Sequence, residues 1–377
     1  YDGGTTASTT LTFTGLVGSE TLGQTVGSTF DNKNVGSNKT VTVNSITLAD
    51  STGLAANYSI SAGQTTTAHI SPKSLTVSGN TASNKTYNSN SSATVTVTLS
   101  GFVGSETLTY TNSSSFNNKN VGTGKTVTVD SITLADGNNG GLASNYSVTP
   151  GQTTTANITA KSLTVSGIIA SSKTYDGSAS ATLDTSSVLY SGIISGDTFT
   201  GSYTGAFSNA NVGTGKTVTI TSSYSGADTG NYSVTDQSST TADISAKALT
   251  ATASVSNKTY DAISSATATL TLSGLVGLET LGTTNASTFN NKNVSTGKTV
   301  TVNSITLADG TNGGLAANYS ISAGQTTTAN ITAKSLTVSG ITGINKVYDG
   351  NTVVTLDSSS VTYSGLVSGD SFVGAYS

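Results

Sequence analysis

His69 is the only imidazole in a chain of 377 residues, and there is no cysteine. Covalent catalysis needs a nucleophile beside a base, and the usual bases and thiols are therefore almost absent. The chain also supplies its own comparison. Asn157, Asp243 and Asn330 stand in equivalent stretches where His69 stands in the first. A catalytic base would not exchange so freely with an amide. Serine and threonine are plentiful but have no partner to activate them. The sequence reads as non-enzymatic, with no catalytic residues and no cofactor.

Other chemistry fares no better. Asp50, Asp136 and Asp309 mark a recurrent loop rich in Asn and Gly. Calcium wants six to eight oxygens and usually several carboxylates. One Asp per loop reads as a turn, and no metal site is expected. The run "VGTGKT" at 212–217 looks like a phosphate loop, but Ala210 and Asn211 stand where the leading glycine is required. The segment also leads into strand-like sequence, so it reads as a hairpin turn. A recurring lysine (Lys125, Lys216, Lys298) near asparagines raises an internal Lys–Asn isopeptide bond. Glu106 and Glu279 give way to Asp197 in another stretch, so no fixed acid supports it. Asn-x-Ser triplets at Asn57, Asn145, Asn231 and Asn318 are candidate glycosylation sites.

The tyrosines lead to the organisation. Tyr1-Asp2-Gly3 opens the chain, and related phrases place tyrosines at 87, 175, 260 and 348. The steps are 86, 88, 85 and 88 residues. A second landmark, Asn-Tyr-Ser, places Tyr58, Tyr146, Tyr232 and Tyr319 at the same interval. Such a period means a tandem array. In the first phrase, Tyr suits the edge of a thin core, Asp a side-chain cap, and Gly a positive φ. These nine tyrosines are structural landmarks.

Composition supports a folded, weakly charged chain. Charged residues are 9% and hydrophobic residues 34%, against about 25% and 45–50% in ordinary domains. The net charge is only −4, so the signature of disorder is incomplete. Fifteen basic residues scattered along the chain exclude a nucleic-acid surface. No apolar run approaches about 18 residues, so no membrane insertion is expected.

The pattern within one repeat is β throughout. "KSLTVSG" at 161–167 alternates, with Leu163 and Val165 on one face. Val218 and Ile220 alternate after the glycines, and "GNYSVTD" and "TTADISA" read as two more short strands. No stretch has helical spacing. The expected fold class is all-β: a tandem array of Ig-like β-sandwich-type domains of about 87 residues. The alternative is a β-solenoid, although no shorter internal period appears. Boundaries fall before each recurring "K-[SA]-L-T". They give a partial repeat at 1–72 lacking its first strand, repeats at 73–160, 161–246 and 247–333, and a partial repeat at 334–377. The repeats at 161 and 334 form a second flavour, with "SGDxF" where the others carry "VGxETL". Joints of two residues leave little room to bend. Each domain is expected to bury its own core within an extended, semi-rigid rod.

The phrases "KTYDG", "SGLVGSETL", "NVGTGKTVTV", "SITLADG", "GLASNYS" and "TTTANITAKSLTV" together resemble the YDG and MBG-type repeats of large bacterial surface proteins, among them filamentous-haemagglutinin-like adhesins. The resemblance spans essentially the whole chain. It implies a secreted, extracellular segment at the bacterial cell surface, serving as a stalk that supports adhesion or biofilm. Its first partners are further repeats of the same longer chain. Two alternatives stay open: a subunit of a self-associating filament or matrix fibre, and weak multivalent binding of host or cell-surface glycans or proteins.

Overall fold

The computed structural model describes residues 1–377. It is a tandem β protein in which the remaining regular elements are four one-turn 3-10 helices. The repeat at 247–333 shows the layout. Lys247–Val255 pairs in parallel with Tyr319–Ile321 and antiparallel with Ala268–Ser273, making a small three-stranded sheet. A second sheet has five strands, in the order Lys258–Thr259, Thr326–Thr332, Ser295–Asp309, Leu281–Phe289 and Ser265–Ala266. Its long strand carries a register shift opposite Ala286 and Ser287. Such a bulge bends the strand and curls the sheet.

The alternation seen in the sequence decides the two faces of this curled sheet. Phe289 lies opposite Val300 on the inner face, and Val302 and Ile331 join them in burial. The next residues along each strand point outward. Ser265, Thr288, Thr301 and Thr326 pair in turn across four strands. Thr6, Thr29, Thr42 and Thr65 form the same rank in the first repeat. The abundance of threonine thus has a simple cause: a β-branched residue with a hydroxyl suits the wet face of a strand.

The glycine run at 212–217 is not the hairpin turn expected of it. The turn is formed by the residues between Thr200–Phe207 and Gly213–Ser225. The glycines instead make an irregularity inside the second strand, between the pairings of Gly213 and Lys216. Gly124, Gly215 and Gly297 hold φ near +60° there, and Asn38 does so in the first repeat. Asparagine is the usual substitute for glycine in that region.

Two compact units divide the chain, and the division cuts through a repeat. One comprises Tyr1–Val165, Tyr190–Gly201 and Tyr224–Thr235. The other comprises Ser166–Leu189, Ser202–Ser223 and Asp236–Ser377. The cores follow. In the first unit, Tyr87, Val97, Phe116, Val127 and Ile158 bury together with Leu163 and Tyr232 of the following repeat. In the second, Tyr175, Phe207, Val218 and Ile244 bury together with Leu249 and Tyr319 of the following repeat. The expectation that each repeat buries its own core is therefore corrected. A curled sheet of one repeat is covered by the small sheet of the next. The physical reason is the thin composition. A small sheet and a curled sheet with so few large side chains gain more buried surface by sharing a core.

Candidate functional site

The features that recur most regularly lie where one repeat meets the next. Each joint is built around an acid. In the second unit, Glu279 accepts the Tyr175 hydroxyl on one oxygen and the Tyr319 hydroxyl on the other, both at 2.7 Å. The two rings pack edge to face with centroids 5.4 Å apart. Tyr175 comes from the Tyr-Asp-Gly phrase of one repeat and Tyr319 from the Asn-Tyr-Ser of the next. The Tyr319 oxygen also accepts the Val276 N–H at 2.9 Å. Beside it, the buried Asn318 accepts the Val212 N–H at 2.9 Å and donates to Asn211 at 3.1 Å.

The first unit builds the same joint twice. Glu106 accepts from Tyr1 and from Tyr146, each at 2.7 Å. Asn145 accepts the Val35 N–H at 2.9 Å. At the following joint the acid is split in two. Tyr232 donates to Asp197 at 2.6 Å, and Tyr87 donates to Asp228 at 3.3 Å. Asn231 accepts the Val121 N–H at 2.9 Å.

A lysine distinguishes the joints. Lys33 donates to Glu106 at 2.8 Å. Lys119 lies 2.9 Å from Asp228 and 3.6 Å from Asp197. Alignment of the "NKNV" and "NANV" stretches puts Ala210 in that place at the Glu279 joint. The electrostatics follow. The Lys119 ammonium, aided by the Thr198 N–H, holds the Asp228 carboxyl down at about 2. Burial pushes the Glu106 carboxyl up, but hydrogen bonds from Lys33, Tyr1 and Tyr146 outweigh it and leave it below its ordinary range. Burial, then the neighbouring Glu279, pushes the Tyr175 hydroxyl up to about 12. Tyr232 is raised to about 12 by burial and Asp197.

The Tyr-Asp-Gly phrase closes a loop over its own lysine. Lys173 donates to Asp176 at 2.8 Å, to the Ser178 carbonyl at 2.7 Å and to the Ser180 carbonyl at 3.0 Å. Its ammonium stands over the Phe207 ring. Lys258 repeats this with Asp261 and Phe289. Where the phrase reads Asn88-Ser89, Lys85 turns instead to Asn90 and Ser92. The glycine has two reasons. Gly177 has φ +77°, and a Cβ there would come within 2.9 Å of Val276 in the next repeat.

The landmark tyrosines thus fall into two sets that meet. Tyr1, Tyr87 and Tyr175 reach the acid of the following repeat. Tyr146, Tyr232 and Tyr319 bind the acid of their own repeat, as Tyr58 does with Glu20 at 2.5 Å. Tyr260 is half-buried, and its hydroxyl is raised by a hydrogen bond to Asp370. Tyr348 is exposed.

The glycosylation candidates are largely corrected. Asn145, Asn231 and Asn318 are buried and spend their amides on the neighbouring repeat. A glycan on any of them would break the joint. Asn57 is exposed.

The remaining candidates are structural in placement. Asp50, Asp136 and Asp309 each accept a backbone N–H that starts a 3-10 turn, from Ala55, Ala143 and Ala316. Asn157, Asp243 and Asn330 each accept the N–H of a left-handed glycine at 2.7 Å, and His69 is exposed on its strand. Lys125, Lys216 and Lys298 donate to the amide oxygens of Asn118, Asn209 and Asn291. These are charge–dipole contacts that stitch the hairpin. The acids Asp197, Asp228, Glu106 and Glu279 were not singled out as a set. Glu106, Glu279 and Asp197 share the recurring "GSETL", "GLETL" and "SGDTF", in which an acid is always present but changes length, whereas Asp228 lies outside that motif, in "SGADTGN".

This architecture defines a tandem all-β repeat protein whose repeats interlock through a tyrosine–carboxylate joint. The YDG domain profile matches residues 1–68, 71–156, 159–242, 245–329 and 332–375, and the chain belongs to the YDG-domain family. No curated protein matches the chain.

Proposed function

We propose that this chain is a non-catalytic stalk segment of a secreted bacterial surface adhesin, holding a binding tip away from the cell. One observation carries the reading. The same kind of joint recurs wherever one full repeat follows another: a tyrosine from each repeat on a carboxylate, either one shared glutamate or a pair of aspartates, and an asparagine on a backbone N–H. A binding module needs a varied, accessible surface. A spacer needs a reproducible connection, and the most regular chemistry here serves the connection. No helix is long and apolar enough to cross a membrane. The partners are then neighbouring repeats of the same chain.

Negative-stain electron microscopy over a range of concentrations tests the reading. Separate, beaded, extended particles at every concentration are expected. Compact particles would overturn it, and concentration-dependent fibres of regular width would replace the stalk by a self-associating filament.

A further inference from the structure

A stalk between a cell and a surface is pulled from its two ends, and the strand topology bears on that load. In the repeat at 73–160, Lys73 and Ser74 run parallel to Tyr146 and Ser147, with Leu75 N donating to the Ser147 carbonyl at 2.8 Å. Lys85 and Thr86 run parallel to Ile158 and Thr159, with Tyr87 N donating to the Thr159 carbonyl at 2.8 Å. The opening segment of the repeat is thus bonded twice to its closing segment, once in each sheet.

The repeat at 247–333 does the same. Lys247, Ala248 and Leu249 pair with Tyr319, Ser320 and Ile321. Lys258 and Thr259 pair with Ile331 and Thr332. At 161–246 the two registers are Lys161–Thr164 with Tyr232–Thr235, and Lys173–Thr174 with Ile244–Ser245. The other strand pairs described between neighbours are antiparallel.

Direction is what matters. When the chain is pulled, the opening segment is drawn backward along its strand and the closing segment forward along its own. Because the two lie parallel and adjacent, their hydrogen bonds are loaded side by side, in shear. All bonds of a register must yield together. A hairpin pulled at its open end loads its bonds one after another. Parallel bonds are slanted and evenly spaced, so they share such a load. Rupture under force is governed by the unfolding barrier, not by equilibrium stability. The tyrosines strengthen the same place: Tyr146 and Tyr319 belong to the sheared strands, are buried, and are tied to Glu106 and Glu279.

We infer that each full repeat is a shear clamp, and that resisting tension along the chain is a built-in activity of this protein. The inference rests on the stalk reading for its purpose but not for its physics.

Single-molecule force spectroscopy tests it, and the absence of cysteine makes attachment sites unique. One version of the 377-residue chain carries handles at its two termini. Another carries them at Thr109→Cys and Thr133→Cys, exposed positions on the antiparallel strands Leu108–Phe116 and Gly122–Asp136. That second geometry peels one hairpin. The clamp requires the repeats to rupture from the termini at more than about twice the force of the peeled hairpin at equal loading rate. Equal or lower terminal force would overturn it. Low terminal force from a chain that images as extended particles would sink the clamp and leave the stalk standing. High terminal force from compact particles would do the reverse.

Discussion

Tyr175 and Tyr319 stand edge to face and donate their hydroxyl hydrogen bonds to opposite oxygens of one carboxylate, Glu279. The two residues belong to successive repeats, so a single acid reads both. Replacing either tyrosine by Phe keeps the packing and strands one carboxylate oxygen. Glu279 is half-buried, so the stranded oxygen can turn to water and the loss should be about 1 kcal/mol, the low end of the cost of an unmade hydrogen bond. Tyr319→Phe should cost more than Tyr175→Phe, because it also frees the Val276 N–H. Hydrogen exchange of the Val276 amide, compared between the two variants, checks this; equal protection would contradict it.

The joint asparagines separate joint chemistry from surface chemistry. Asn231→Ala removes the acceptor of the Val121 N–H. The unpaired donor should cost about 1–3 kcal/mol. Asn57→Ala, at the equivalent exposed position, should stay within about 0.5 kcal/mol of the parent, as surface changes do. Thermal unfolding of the two variants measures the contrast.

Acid should attack the Asp228 joint in a defined window. The carboxyl is depressed from an ordinary 3.8 to about 2 in the folded chain. The folded state therefore binds fewer protons than the unfolded one between those values, and stability rises with pH there. The contribution is complete above about pH 4 and disappears as pH falls toward 2. Asp228→Asn should flatten the acid limb of the stability curve for the first unit. An unchanged limb would show that other carboxylates govern it. At the alkaline end the raised tyrosines act in the opposite sense. Their contribution is complete below pH 10 and is lost as pH climbs toward 12.

Ala262 takes the place of the glycine in the Tyr-Asp-Gly phrase and holds φ +65°. Ser89 holds the same angle and donates its hydroxyl to Asp197 at 2.9 Å. An alanine in this region costs roughly 1–2 kcal/mol. Ala262→Gly should therefore stabilise the repeat by about 1 kcal/mol. Calorimetry on the full chain reads the shift, and a destabilised variant would contradict the strain.

Much of this was legible from period and alternation. Leu163 and Val165 on one face, the breaks at glycine, and the tyrosine spacing together specify short strands in a tandem array. What stayed hidden is which repeat each residue serves. Tyr87 and Leu163 sit in different repeats by sequence yet share one core, and alternation says only that a face is buried, not by whom. The joint acids were hidden for a related reason. Glu106 and Asp197 differ in length, and two aspartates at one joint do the work of one glutamate elsewhere. The exchange that argued against a fixed reactive acid is the mark of a fixed structural one. The buried asparagines misled because Asn-x-Ser is defined by three residues alone, while burial is decided by a neighbour roughly 110 residues away, as between Val35 and Asn145.

Joints built in this way should be stiff, and that claim can be measured inside one compact unit. Thr47 and Thr133 are exposed, equivalent positions in successive repeats of the first unit. Spin labels on cysteines placed at both report the distance between them by pulsed electron resonance. A single narrow distance distribution is the expected result, broadening when Tyr146 and Asn145 are replaced together by Phe and Ala. A broad or multimodal distribution in the unmodified joint would mean that the repeats hinge freely, and the interlocked joint would have to be abandoned.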